Sequence, residues 1–182
     1  MATSQELVSH IMRLGIVVRS AHLKRVLTAI EPQPSLNFWC LIYGNLLDVA
    51  VLEWCKVFGS DAEPTHWKRV VSDHVAFRRD LLTELAMDEQ AWEEYWQEMK
   101  TYRDSLVAHH VDPNSLTRWP HLDAALRSCY FYYSYLIREL RNLGDNQYPD
   151  NLEEYCERFA AQAKEIAQAA LASTARFKER VF

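Results

Sequence analysis

An arginine and a histidine stand six residues apart in the middle of the chain, at Arg103 and His109. A guanidinium binds a phosphate or carboxylate through two parallel hydrogen bonds, and an imidazole gains and loses a proton near neutral pH. If the segment is helical, the two residues are about 9 Å apart along the axis, and both long side chains reach one phosphate where the helix ends. The pair therefore predicts an anion-binding site with an acid or base beside it.

Arg103 falls at an unusual place on its predicted helix. It projects near the centre of an apolar stripe formed by Trp92, Tyr95, Trp96, Met99 and Leu106, about 20° from Trp92 at 100° per residue. A guanidinium removed from water is costly unless it meets a carboxylate, a stack of rings, a subunit interface or an anion. One interpretation is structural, with Arg103 joined to Asp48 or Glu53 of another helix. Asp104 projects to a different face and is not expected to be the partner.

His109 and His110 are predicted to lie at the end of this helix, because Val111-Asp112-Pro113 is a stop signal. The negative end of the helix dipole favours their protonated forms. The alternative interpretation is a C-terminal cap without chemistry. A metal site from His109, His110, Asp112 and His121 is not expected, since these positions lack the i, i+4 spacing of helical ligands. We predict no metal and no cofactor.

Length and composition indicate one globular domain. The chain has 182 residues, of which 49% are hydrophobic and 12% aromatic, so we expect extensive ring packing. Its four Gly and six Pro cluster between long stretches free of both, which favours long helices over short strands. The net charge of -5 argues against a protein that holds nucleic acid over a broad basic surface. A small local site remains compatible with it.

The cysteines and the apolar runs bear on the compartment. Four cysteines lie far apart inside apolar patterns and form no CxxC pair, so we expect reduced core thiols: Cys40, Cys55, Cys129 and Cys156. The N-terminal stretch has no signal-like apolar run, and about twenty apolar residues in succession occur nowhere. We therefore expect a cytoplasmic protein without a membrane span.

Apolar periodicity and end signals predict about six helices in an all-α, antiparallel bundle with short connections. The second helix is so apolar that most of its circumference is expected to be buried. The predicted segments are Ser4 to Ile30, Ser35 to Phe58, Pro64 to Ala86, Asp88 through the Arg103 segment, Trp119 to Gly144, and Asn151 towards Phe182.

The central motif resembles that of a known family. Arg103, Asp104, the run Ser105-Leu106-Val107-Ala108 and His109 together resemble the motif of the HEPN domains (higher eukaryotes and prokaryotes nucleotide-binding). The stretch 48–59, followed by His66-Trp67, is similar to the HEPN branch associated with bacterial abortive infection. The resemblance covers roughly 35–145. It implies a single HEPN-like domain over 1–182, with 1–34 and 146–182 as flanking helices.

The resemblance implies a metal-independent endoribonuclease that yields a 2′,3′-cyclic phosphate. Arg103 would bind the phosphate, His109 would act as acid or base, and Asp104 would orient one of them across a homodimer with a composite site. His110, Ser105 and Asp48 are auxiliary candidates, and either histidine is a candidate for the essential one. A toxin or phage-defence effector with an antitoxin partner is the implied role. The alternative is an inactive HEPN-like module that binds RNA, a nucleotide or a partner protein.

Overall fold

The computed structural model describes residues 2–31, 36–108 and 119–178, and for 106–108 it describes the backbone alone. These residues form six α-helices and no strand, which confirms the predicted all-α bundle. The helices are α1 (Ser4–Thr28), α2 (Asn37–Phe58), α3 (His74–Leu85), α4 (Glu89–Tyr102), α5 (Asp123–Asn142) and α6 (Leu152–Thr174). A 3-10 turn (Trp67–Arg69) precedes α3, and a π-helical turn (Arg103–Ala108) follows α4.

Most helix ends lie where their capping residues predict them. The Asp88 carboxylate accepts from the backbone N–H of Ala91 and starts α4. The Asn151 side chain accepts from the first backbone N–H groups of α6. Gly144, in the left-handed region at φ +85°, follows the last residues of α5. These side chains and the glycine satisfy backbone groups that a helix end leaves unpaired.

The third helix is shorter than predicted, and its start was wrong by ten residues. Pro64 leads into turns and the 3-10 segment, and α3 begins only at His74. His66 caps the 3-10 turn by accepting from the backbone N–H of Lys68, and Asp73 caps α3 by accepting from that of Ala76. The Asp73 cap therefore prevails over the Pro64 signal.

Contacts between side chains fix the directions of the helices. In the first half of α1, Arg13 donates to Glu53 of α2 at 2.8 Å. Near its end, Lys24 lies over the Tyr43 ring. Because the residue number falls along α2 as it rises along α1, the two helices run antiparallel. The same relation holds for α1 with α5, α2 with α4, and α3 with α5.

The core is filled by aromatic rings around Trp54 of α2. Its indole packs against Phe58, Trp92 and Tyr95 with ring centres 5.4, 5.9 and 5.7 Å away. Its N–H donates to the Ser128 hydroxyl of α5 at 2.9 Å. The ring stacking and the satisfied N–H tie α2, α4 and α5 together.

The expectation that most of α2 is buried was wrong for its first half. Between 37 and 46 only Trp39 is buried, whereas Phe38 and Leu41 are exposed. From Leu47 onward the helix carries much of the core. Helix α2 is long and apolar enough to cross a membrane by length and composition, but this is weak support for a span, since the core helix of a soluble protein has the same properties.

The reading of the cysteines as core thiols holds for three of the four. Cys55, Cys129 and Cys156 are buried, and burial raises the pKa of the Cys55 thiol to about 12. Cys40 lies on the exposed first half of α2, so its assignment to the core was wrong. The apolar residues around it in sequence do not enclose it in the fold.

Candidate functional site at the end of the fourth helix

The helix that carries Arg103 changes its geometry at that residue. Helix α4 ends at Tyr102, and the backbone of Arg103–Ala108 continues as a π-helix. Such turns are rare and occur often at functional sites, because the wider coil redirects side chains out of the α-helical register. A projection at 100° per residue therefore does not hold beyond Tyr102.

Arg103 is half-buried, with 19% of its side chain exposed. Its Nε donates to Oδ1 of Asp104 at 2.7 Å, and this hydrogen bond is the main reason that the guanidinium pKa is raised. The expectation that Asp104 would not be the partner was wrong. The arginine side chain is long enough to fold back onto the residue that follows it, as Arg79 also does onto Asp80 within α3.

The two carboxylates predicted as structural partners of Arg103 are bonded elsewhere. Asp48 accepts from the Tyr102 hydroxyl at 2.6 Å. Glu53 accepts from Arg13 of α1 and from Lys56 of its own helix. The predicted ion pairs from Arg103 to these two residues are therefore wrong, and the pair with Asp104 does not join two helices.

Cations and carboxylates are balanced around Arg103. The Asp104 and Glu63 carboxylates both raise its pKa, although Asp104 acts mainly through the hydrogen bond. Lys100, one turn earlier on α4, lies 4.0 Å from the centre of the Trp96 ring. The described part of the site therefore carries little net charge, and an incoming anion has to compete with Asp104.

The remaining predicted site residues are placed only in part. Ser105 is half-buried, two residues after Arg103. His109 and His110 lie outside the described residues, so the predicted meeting of Arg103 with a histidine stays a prediction. Asp48 lies beside Tyr102 rather than on the guanidinium. Within 2–31, 36–108 and 119–178, no group of three His, Cys, Asp or Glu side chains is arranged to hold a metal ion.

A cavity of about 530 Å³ adjoins the site through Tyr102. Its lining comes from α1, α2, the end of α4 and the segment before α5: Lys24, Tyr43, Gly44, Leu47, Asp48, Tyr102, Trp119 and Pro120. Of these residues only Asp48 was predicted as a site residue, because the lining residues are far apart in the chain. A glycine inside the apolar α2 is the one sequence signal that pointed to open space there.

A larger cavity of about 960 Å³ lies between α3 and α4 and has basic residues along its wall. Lys68 pairs with Asp61, Arg78 with Glu89 and Arg79 with Asp80. Each of these cations is paired with a carboxylate of this chain, as Arg103 is with Asp104.

No known protein family model, curated protein or solved structure matches this chain.

Proposed function

We propose that this chain is a metal-independent endoribonuclease of the HEPN type, with Arg103 and His109 as its catalytic residues. The proposal joins the motif resemblance to one structural observation. Arg103 has a side chain that is 19% exposed and lies at a π-helical turn, and its carboxylate partner is its own sequence neighbour. An arginine so placed does little to hold helices together, which supports a role in binding a phosphate.

The reaction needs only groups of the RNA and of this chain. The ribose 2′-hydroxyl attacks the adjacent phosphorus, a bond from phosphorus to the 2′-oxygen forms, and the bond to the 5′-oxygen breaks. His109 takes the proton from the 2′-hydroxyl or delivers one to the departing 5′-oxygen. Arg103 stabilises the charge that develops on the phosphate oxygens. The products are a 2′,3′-cyclic phosphate and a 5′-hydroxyl.

Asp104 acts as a positioning residue in this proposal. Its bond to Nε of Arg103 at 2.7 Å restricts the rotation of the guanidinium and leaves the edge formed by the two Nη atoms to bind a phosphate. Ser105 is an auxiliary residue, and so is whichever of His109 and His110 is not essential.

The resemblance also supports a homodimer in which the two Arg103 segments face each other, a toxin or phage-defence role, and an antitoxin partner. Light scattering on the purified chain tests the first part directly. A mass near twice 21.3 kDa is expected, and a monomer at the concentration of the cleavage assay would remove the composite site.

The chain offers a matched control for testing Arg103. Arg79 also donates from its Nε to the aspartate that follows it, with 2.8 Å between Nε and Oδ1 of Asp80. Because Arg79 lies on α3, away from the candidate site, it serves as the control. We expect RNA cleavage in EDTA to fall at least about 100-fold in Arg103→Ala and His109→Ala, by analogy with removal of one charge-stabilising group. Arg79→Ala should retain normal activity.

Three results would overturn this function. They are no cleavage of any RNA by the wild-type chain, cleavage abolished by EDTA, and cleavage unchanged in Arg103→Ala. RNA binding without turnover, lost in Arg103→Ala, would select the inactive binding module instead.

A further inference from the structure

The cavity beside Tyr102 has aromatic walls suited to a nucleobase. Tyr43, Tyr102 and Trp119 contribute rings. The Tyr102 ring is only 3% exposed and packs against the Trp119 indole with ring centres 5.8 Å apart, and the Lys24 ammonium lies over the Tyr43 ring. Trp119 has 55% of its surface exposed, so a large part of its indole is available for stacking. A volume of about 530 Å³ is within the range of small-molecule sites. Stacking on aromatic side chains is the usual way in which proteins hold unpaired bases.

A glycine keeps this cavity open. Gly44 lies inside α2, where glycine costs about 1 kcal/mol relative to alanine. A Cβ added there would have no heavy atom within 4 Å, so no close packing requires the glycine. Since Gly44 lines the cavity, a larger side chain at this position would occupy the cavity.

Asp48 determines which base the cavity favours. An ionised carboxylate only accepts hydrogen bonds and has about four lone-pair positions. The Tyr102 hydroxyl occupies one of them, at 2.6 Å from Oδ1. Guanine carries two adjacent donors, N1–H and the N2 amino group, which match a carboxylate edge. Adenine and cytosine place a ring nitrogen acceptor beside their amino group, and uracil has a single N–H between two carbonyls, so each matches less well.

We propose that this cavity is a guanine-binding site, with Asp48 accepting from the base, Trp119 stacking on it, and Tyr43 and Tyr102 bordering it. Tyr102 directly precedes Arg103, and in the natural role that we propose the guanosine held here belongs to the RNA that Arg103 binds. That natural role rests on the proposed ribonuclease function. The binding of guanine does not depend on the ribonuclease function, and it is measured in an assay without cleavage.

Calorimetric titration of the full chain with nucleoside 5′-monophosphates tests the proposal. We expect guanosine monophosphate to bind at least about tenfold more tightly than adenosine monophosphate, and inosine monophosphate to bind about tenfold more weakly than guanosine monophosphate, because it lacks one donor to the carboxylate. Asp48→Asn keeps an oxygen for Tyr102 but replaces the other acceptor by a donor. This variant should lose the preference for guanine.

A blocking variant and its control provide a second test. Gly44→Leu should abolish binding of guanosine monophosphate, whereas Asn45→Leu, an exposed neighbour on the same helix, should leave it unchanged. A short RNA with one guanosine among uridines should compete with the mononucleotide if RNA is the natural source. If it does not compete, a free guanine nucleotide is the ligand.

Equal affinity for guanosine and adenosine monophosphates, no binding of either, or an unchanged preference in Asp48→Asn would overturn the guanine site. If the cavity instead receives an aromatic side chain of a partner protein, neither nucleotide should bind. Binding of guanine by a chain that cleaves no RNA would remove the ribonuclease and keep the site. Cleavage of RNA without any binding of guanine would remove the guanine site and keep the ribonuclease.

Discussion

The two halves of α2 have similar apolar sequences and opposite surroundings. From Leu47 to Phe58 the helix is packed into the bundle, and its rings meet those of α4 and α5 around Trp54. From Asn37 to Leu46 it exposes Phe38 and Leu41 and supplies one wall of the cavity. Apolar composition therefore does not show by itself which part of a helix the rest of the fold covers.

The difference separates structural from functional roles. In the second half, the Trp54 N–H has its partner on α5 and the rings around it are buried. At the junction of the two halves, Asp48 borders open space together with Tyr102 and Trp119, near the point where α4 becomes a π-helix. We infer that α2 beyond Asp48 stabilises the bundle, whereas the first half and Asp48 help to form a binding surface.

Trp54→Ala should show the largest difference in stability between the two halves of α2. Removing a fully buried ring should lower the free energy of unfolding by about 3–5 kcal/mol. Leu41→Ala, in the first half and 65% exposed, should change it by less than about 0.5 kcal/mol. Urea unfolding followed by circular dichroism measures both. Comparable losses would contradict the contrast.

Acid should destabilise the core that the second half of α2 builds, in part through His10. Its Nδ1 lies 2.9 Å from the Tyr132 hydroxyl, and burial lowers its pKa to about 4. In the unfolded chain the ring takes a proton near pH 6.5. Between these values the unfolded state binds the proton preferentially, so stability is retained above pH 6.5 and falls as the pH drops towards 4.

The expected slope from this one histidine is about 1 kcal/mol per pH unit. Urea midpoints measured from pH 7 to 4 for the wild type and for His10→Gln test it, because the variant lacks the titrating ring. Parallel pH profiles would show that His10 does not contribute.

The glycines in and after α2 should respond in opposite directions to alanine. A Cβ on Gly59 would lie 2.3 Å from the Cys55 carbonyl oxygen, so Gly59→Ala should destabilise by about 1–3 kcal/mol. Gly44→Ala meets no neighbour and should stabilise by about 0.5–1 kcal/mol. Thermal unfolding compares the two variants. Destabilisation by Gly44→Ala would show that this position is packed and not open.

The sequence predicted those parts of the fold that local signals determine. The Asp88 and Asn151 caps gave correct starts, because a capping side chain acts within three residues of itself. The start of α3 was missed, since Pro64 is an equally good local signal whose helix does not form. The exposed half of α2 was missed because burial depends on distant helices.

The candidate site was predictable in its residue types but not in its pairing. The position of Arg103 on an apolar stripe correctly indicated a half-buried guanidinium. The partner of its guanidinium is the adjacent Asp104. Asp48 and Glu53 are bonded to Tyr102, Arg13 and Lys56 instead, which residue spacing does not reveal. The cavity draws on four segments of the chain, so spacing within any one of them does not reveal it.

The chemical form of the RNA ends tests the central claim most directly. If Arg103 and His109 promote attack by the 2′-hydroxyl, mass spectrometry should find a 2′,3′-cyclic phosphate on one fragment and a 5′-hydroxyl on the other. A single 2′-deoxyribose placed 5′ to the mapped scissile phosphate should block cleavage there. Cleavage at the deoxy position, or fragments that carry a 5′-phosphate, would contradict the account.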